Sequence, residues 1–304
     1  MVCFFPAKLK PRVNTVLGRY AGYISGAGYE ADGIRQQIPA NAYGGTATFN
    51  GGKKGWGRLD WAVPSNEKDS ITFVMFDKGK NGFPGLFVGC VTHTVSPYEW
   101  HIEYGVTPLL MPGGPLNMAQ QAFFNLDGLK KTANGTIGNV LDHKLHLPMS
   151  GMRFDFDRYG IPTGNILSNR KGKEHDFWSG PRSFKDILDR NPEALSSVYD
   201  ETFTISHKYE DYSRREKPSA ILSSERSGIT MEVYTDQNGI RVHTWNDQII
   251  GEYSDLKWRG DKTDVLKKDH LTSRKVKERD EFHNMAQCRW SRQTGQMRLT
   301  TQSG

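Results

Sequence analysis

Two neighbouring glutamines, Gln120 and Gln121, are the polar residues of the most distinctive segment of this sequence, residues 115–128. The segment alternates apolar and polar residues before two phenylalanines and an Asn-Leu-Asp-Gly turn. An alternation of period two predicts a half-buried strand that ends in a turn. An amide donates and accepts hydrogen bonds and can orient a substrate, but it cannot titrate. Taken alone, these residues favour a polar pair on the solvent face of a sheet.

The histidines and cysteines predict neither a metal site nor a disulfide framework, and we expect no cofactor. His143 and His146 are an odd number of positions apart, so they would face opposite sides of one strand. His93 and His101 fall in predicted strands, where packing on a sheet face is the expected role. The cysteines are widely spaced and match no zinc pattern: Cys3, Cys90 and Cys288.

The sequence as a whole predicts one large domain built of β-strands. Among its 304 residues, strand-like runs separated by Gly, Pro, Asn and Asp outnumber helical ones. Residues 87–95 and 100–104 predict one hairpin, and residues 229–236 and 239–246 predict another. We therefore expect an all-β fold with little helix.

Much of the net charge of +6 lies after residue 255, where basic residues are interleaved with acidic ones. This pattern favours a charged, loosely ordered tail over residues 255–304 rather than a nucleic-acid surface. The start of the chain is interrupted by proline and charge too early for a signal peptide, and no apolar run approaches membrane-spanning length. We expect a main domain over residues 1–254, a cytoplasmic location, and no nucleic-acid or membrane partner.

Several short motifs, occurring in the same order, resemble those of the aldose 1-epimerase (galactose mutarotase-like) family. Residues 115–128 resemble its signature strand, P-x-x-x-x-x-H-x-Y-F-N-L, and Gln121 stands where that strand carries the catalytic histidine. Residues 18–24, GRYAGYI, resemble G-R-x-A-N-R-I. This resemblance assigns sugar binding to Arg19 and puts Tyr23 in place of the second arginine.

Other motifs extend the resemblance over roughly residues 15–250. The loop that the family writes as L-H-G-G has Asn50 in place of its sugar-binding histidine. A Y-D-x-x-F segment makes Asp200 a retained binding residue, and His243 replaces a tyrosine in a later strand. The family's catalytic glutamate has no identified counterpart. The resemblance thus implies a large antiparallel β-sandwich of the mutarotase type, short at its N-terminus, in a divergent fungal-type member without the catalytic histidine and glutamate.

The function implied by this resemblance is that of an isomerase acting on a sugar or a sugar-like small molecule. Anomer interconversion needs a general acid at the ring oxygen and a general base at the anomeric hydroxyl. Because amides cannot titrate, we predict a rewired catalytic set of Gln121, Asp200 and His243, with Arg19, Asn50 and Asp200 binding substrate in one cleft. Two alternatives stay open: an enzyme of the same fold repurposed for fungal secondary metabolism, and a non-catalytic carbohydrate-binding paralogue.

Overall fold

The computed structural model of this chain describes residues 15–31, 33–79, 82–110, 114–128, 140–158, 160–190, 200–205, 217–245, 285–291 and 294–301. The strands of these ranges are β1 Val16–Leu17, β2 Tyr23–Ser25, β3 Gly28–Ala31, β4 Ile34–Gln37, β5 Ala47–Phe49, β6 Ala62–Asn66, β7 Ser70–Asp77, β8 Leu86–Ser96, β9 Glu99–Leu110, β10 Ala119–Phe124, β11 Lys144–His146, β12 Met152–Phe156, β13 Pro162–Ser168, β14 Arg182–Ser183, β15 Asp200–Thr204, β16 Ala220–Ser223, β17 Ile229–Thr235, β18 Gly239–Trp245, β19 Met285–Ser291 and β20 Thr294–Thr301. A short helix, α1, covers Phe184–Arg190. No helix in these ranges is long and apolar enough to cross a membrane.

The strands form two large sheets. One has seven strands in the order β1-β10-β19-β18-β15-β12-β13, and the other has nine in the order β14-β11-β16-β17-β20-β9-β8-β7-β6. Neighbouring strands run antiparallel. Two short ribbons, β2–β5 and β3–β4, accompany the sheets. The predicted all-β antiparallel fold is confirmed.

One hydrophobic cluster receives side chains from both sheets. Ile102 and Met231 of the nine-stranded sheet and Phe203, Ile240 and Val242 of the seven-stranded sheet are buried in it. Alternate residues of a strand point to opposite faces, so one face of each sheet supplies this core. The other face of the seven-stranded sheet is therefore available for polar side chains.

The two predicted hairpins have different outcomes. The first is confirmed, because β8 and β9 pair from Ser96–Glu99 onward around a two-residue turn. The second is wrong: β17 pairs with β16 and β20, whereas β18 pairs with β15 and β19. Both segments are strands with one buried face, but residues 236–238 carry the chain from one sheet to the other. The alternation of apolar and polar residues indicates only that one face of a strand is buried. It does not determine which other strand pairs with it.

The end of the chain contributes strands to both sheets. β19 pairs with β10 and β18, and β20 pairs with β17 and β9. This pairing differs from the loosely ordered tail predicted over residues 255–304. The polar composition of a segment does not show whether its backbone is paired. Neighbouring strands on both sides can satisfy the backbone donors and acceptors of a polar strand. Residues 255–284 lie outside the described residues, and the domain boundary after residue 254 stays a prediction.

His93 packs within the nine-stranded sheet, as the sequence predicts. Trp100 donates from Nε1 to Nδ1 of His93 at 3.1 Å, and the two rings stack with centroids 5.5 Å apart. The ring of Phe73 meets the imidazole edge-on at 5.9 Å. Burial lowers the pKa of His93 to about 4. This histidine is thus neutral near pH 7 and has a packing role.

Candidate functional site

Strands β15 and β18 bring three chemically active side chains together. Asp200 and His243 are directly opposite each other in the pairing of these strands, and Arg241 is two residues from His243 on the same face. Arg241 donates from Nε and Nη2 to the two carboxylate oxygens of Asp200, each at 2.5 Å. His243 Nδ1 lies 3.3 Å from Oδ1 of Asp200. We call these three residues the Asp200 triad.

The electrostatics of the triad keep two of its members charged. Burial alone would raise the pKa of the Asp200 carboxyl, but hydrogen bonds from His243 and Arg241, together with their charge, hold it well below its usual range. Burial likewise acts to lower the pKa of Arg241, but the hydrogen bonds and charge of Asp200 raise it overall. Histidine is the residue type of the three that most often transfers protons in proteins, and the catalytic role of His243 stays a prediction.

The contact with Asp200 also orients His243. Because Nδ1 faces the carboxylate, Nε2 is the ring nitrogen directed away from it and available to a ligand. A base held by a third group in this way is the usual arrangement for proton transfer. The side chains of His243 and Asp200 are 22% and 35% exposed, so solvent reaches both.

Tyr23, which is not among the predicted site residues, faces the triad from β2. Its ring stacks on Phe49 with centroids 4.3 Å apart, and its hydroxyl lies 3.1 Å from that of Tyr43. The charges of Arg241 and Asp200 are close enough to affect the pKa of this hydroxyl, the first lowering it and the second raising it. Burial, followed by the hydrogen bond with Tyr43, raises the pKa of Tyr23. Tyr23 is thus a protonated donor beside the triad at neutral pH.

Asn50 holds the segment that carries Tyr23. Its Oδ1 accepts a hydrogen bond from the backbone N–H of Gly22 at 2.9 Å, and its own N–H donates to the Gly22 carbonyl at 2.9 Å. The residue is 3% exposed and has a left-handed backbone with φ +48°, which asparagine tolerates well. The structure gives Asn50 a positioning role, and its predicted contact with substrate stays a prediction.

Arg19 lies inside the protein rather than at the triad. It is fully buried, and its Nε and Nη2 lie 3.1 Å and 3.0 Å from Oδ2 of Asp77. It also donates to the carbonyl oxygens of Pro84 and Gly85, and its Cζ is 4.2 Å from the centre of the Phe87 ring. The structure gives Arg19 a place in the core, and its predicted sugar contact stays a prediction. A motif places an arginine in the chain, but packing decides where its side chain points.

Gln121 lies on the same face of the seven-stranded sheet as the triad. In the sheet register Gln121 is opposite Arg289 of β19, and Arg289 is opposite Arg241 of β18. Two strand spacings of about 4.8 Å place the Cα atoms of Gln121 and Arg241 about 10 Å apart. Of the predicted site residues, Asp200 and His243 are in contact and Gln121 shares their face.

His143, predicted to be structural, supports the turn that follows the signature strand. It is fully buried, and the backbone N–H of Leu126 donates to its Nε2 at 3.0 Å. Burial is the first cause that lowers the pKa of His143. The neutral imidazole thus serves as an acceptor in the core.

The described site supplies groups that move protons and stabilise charge: a fixed carboxylate, a fixed guanidinium, an imidazole and a phenol. In the described part of the chain, no group of three or more His, Cys, Asp and Glu side chains is placed to hold a metal ion. The arrangement suits proton transfer to and from the oxygen atoms of a small molecule.

A family model described as aldose 1-epimerase matches residues 6–270 of this chain. The chain belongs to the aldose 1-epimerase family. The match extends beyond residue 250, where the resemblance recognised in the motifs ends. The loss of the family's catalytic histidine and glutamate stays a prediction.

Relatives carry epimerase names. The chain is 45% identical over 260 residues to "Epimerase FSL3" of Gibberella zeae, covering 78% of this chain and 59% of that protein. It is 30% identical over 251 residues to "Probable aldose 1-epimerase" of Arthroderma benhamiae, covering 77% and 56%. The chain thus spans about six tenths of the length of these relatives.

Solved structures of the family share the fold. The GalM/aldose epimerase homologue from C. elegans aligns with a TM-score of 0.70 at 19% identity, over 97% of this chain and 84% of that one. The galactose 1-epimerase from Lactobacillus acidophilus aligns with a TM-score of 0.66 at 16% identity, over 97% and 82%. These likenesses establish the galactose mutarotase-like fold.

Sequence reasoning missed two residues of the described site. Arg241 falls at an unspecified position of the family's late strand motif, so the motif gave no reason to select it. Tyr23 stands where the family has its second arginine, and this departure from the motif was the available signal. A substitution inside an otherwise matching motif marks a position where the chemistry of the site has changed.

Proposed function

We propose that this chain is an epimerase that interconverts the two configurations of a cyclic hemiacetal carbon in a small molecule other than a simple sugar. The Asp200 triad is the observation that carries the proposal. It combines an imidazole, a carboxylate that orients it, and a fixed cation on one partly buried sheet face. These are the parts that ring opening and reclosure require.

We assign the roles from the chemistry of these side chains. Nε2 of His243 takes the proton of the hemiacetal hydroxyl while the carbonyl forms and the ring C–O bond breaks. The Tyr23 hydroxyl, replenished through Tyr43, supplies the proton to the ring oxygen, and Arg241 stabilises the negative charge that develops on oxygen. Rotation of the open carbonyl and reversal of these steps close the ring from the other face, with no net consumption of protons.

The limited hydrogen-bonding capacity of the triad argues against a simple sugar. Of the roughly four lone-pair sites of a carboxylate, Asp200 uses three on Arg241 and His243. Arg19, the predicted sugar ligand, is committed to Asp77 in the core. A pyranose brings a hydroxyl on most of its carbons, and each hydroxyl buried without a partner weakens binding.

The names of the relatives point the same way. The relative at 45% identity is called an epimerase with no sugar in its name, whereas those at 24% to 30% are named for aldoses, maltose or galactose. This supports an enzyme of the family repurposed for another metabolite, such as one of secondary metabolism, over an isomerase of common sugars.

Exchange NMR spectroscopy tests the proposal, because it measures the rate at which two anomers interconvert. The substrates are galactose and 2-hydroxytetrahydropyran, a cyclic hemiacetal with no other hydroxyl. We expect the chain to accelerate exchange of the tetrahydropyran and to leave galactose near its buffer rate. His243→Asn should reduce the acceleration by about 10²-fold or more, whereas His101→Asn on β9 serves as the matched control.

Three outcomes would overturn parts of the proposal. Galactose exchange as fast as that of the tetrahydropyran would favour a mutarotase with a rewired acid–base pair. Measurable galactose binding without acceleration of either substrate would favour a non-catalytic carbohydrate-binding protein. Equal acceleration by the wild-type chain and by His243→Asn would remove His243 from the mechanism.

A further inference from the structure

A group of aromatic rings lies beside the Asp200 triad. Tyr23 stacks on Phe49 at 4.3 Å and contacts Tyr43 with ring centroids 5.3 Å apart. Phe156 of β12 approaches from another side, with its ring centre 6.0 Å from Cζ of Arg241. We call Tyr23, Tyr43, Phe49 and Phe156 the aromatic wall. Tyr23 stands where the matching family motif has its second arginine, so the wall departs from that motif.

The aromatic wall and the triad border the same space. The ring of Phe156 is centred 6.0 Å from Cζ of Arg241, and the charges of Arg241 and Asp200 are close enough to affect the pKa of Tyr23. The turn between β12 and β13 closes onto the wall at Gly160. A Cβ atom there would lie 3.6 Å from the Tyr43 hydroxyl and 3.8 Å from the Tyr23 ring. The wall therefore lies next to the Arg241 side of the triad.

The rings of the wall are not core residues. Tyr43 is 38% exposed, and the other three are neither fully buried nor fully exposed. Tyr43 also has a left-handed backbone with φ +49°, which is unfavourable for a bulky residue and persists only where the surroundings require it. This conformation belongs to the turn that brings the Tyr43 ring onto Tyr23. Exposed ring faces next to an ion pair gain by stacking on a flat apolar group.

We infer that the aromatic wall selects substrates that carry an aromatic or other flat unsaturated group next to the reacting hemiacetal carbon. This inference rests on the proposed function and adds the substrate class to it. The triad then acts on the single polar centre of the molecule, and the wall binds the apolar part. Both features agree with the small number of hydrogen-bonding groups that the triad leaves for a ligand.

Isothermal titration calorimetry with two hemiacetals tests the inference without relying on turnover. The probes are 3-phenyltetrahydropyran-2-ol, whose phenyl group is on the carbon next to the hemiacetal carbon, and unsubstituted 2-hydroxytetrahydropyran. Burial of about 60 Å² of additional apolar surface at about 25 cal/mol per Å² predicts a roughly tenfold tighter Kd for the phenyl compound. Tyr23→Leu should remove most of this preference, whereas Tyr23→Phe, which keeps the ring, should retain it.

The controls separate a local effect from unfolding and from failure of the proposed function. Tyr98→Leu, at an exposed tyrosine of the β8–β9 turn, should keep the tenfold preference. If Tyr23→Leu does not fold, Tyr43→Leu at the more exposed ring provides the same test. Equal affinity of the wild-type chain for both probes, or a preference unchanged in both leucine variants, would overturn the inference. Loss of the proposed function appears separately, as anomer exchange that does not depend on His243.

Discussion

The largely buried position of His93 leads to a quantitative prediction about stability and pH. The pKa of this histidine falls from 6.5 to about 4 on folding because burial disfavours its charged form. As the pH falls, His93 becomes protonated in the unfolded chain at a higher pH than in the folded protein. The stabilisation is therefore fully present above about pH 6.5 and is lost as the pH falls toward 4. The difference between the two pKa values limits the resulting decrease in the free energy of unfolding to about 3 kcal/mol. At pH 5 the decrease is about 2 kcal/mol.

Urea unfolding at pH 7.5 and pH 5.0 measures this contribution. Wild type and His93→Gln are compared, because glutamine still accepts a hydrogen bond from Trp100 but cannot titrate. Any loss of packing lowers the free energy of unfolding of the variant equally at both pH values, and other titrating groups are common to both proteins. We expect the pH-dependent decrease to be about 2 kcal/mol smaller in His93→Gln.

An identical pH dependence in the two proteins, within about 0.5 kcal/mol, would refute the reasoning. It would mean that His93 is protonated as readily in the folded protein as in the unfolded chain. The stacking on Trp100 and the acceptor role of Nδ1 would then not describe the protein in solution.

Three further predictions concern the site and its support. Asp200→Asn should lower the free energy of unfolding by about 1 to 3 kcal/mol, less than for a fully buried pair, because it leaves Arg241 without its anion; chemical denaturation measures this. Arg19→Met should cost about 3 to 5 kcal/mol by stranding Asp77 in the core, while calorimetry should show unchanged affinity for the hemiacetal probes in the folded variant. Gln121→His alone should raise galactose mutarotation, followed by polarimetry, by less than about tenfold, because an acid without a matched base adds little. Recovery of a rate 10²-fold above that of the wild type would contradict this.

Part of the site was accessible from the sequence because family motifs list side chains in chain order. Asp200 and His243 were selected from two separate motifs, and the pairing of β15 with β18 places them in contact. Arg19 was also selected by a motif, but it points into the core toward Asp77. A motif conveys residue type and order, while the direction of a side chain depends on the packing around it. Tyr23 could be noticed in the sequence as a departure from the family motif, but only the packing of β2 placed it near the triad.

The sequence by itself determined where strands form and which residues of each strand are buried. Alternation with a period of two encodes this locally, and it correctly predicted segments such as β8, β9, β17 and β18. The tertiary structure alone decided which strands pair, because backbone hydrogen bonds between strands do not depend on side-chain identity. It sent β17 and β18 to different sheets and placed β19 between β10 and β18. Through that placement Gln121 came to lie about 10 Å from Arg241 on one sheet face, a relation between distant segments that no local pattern records.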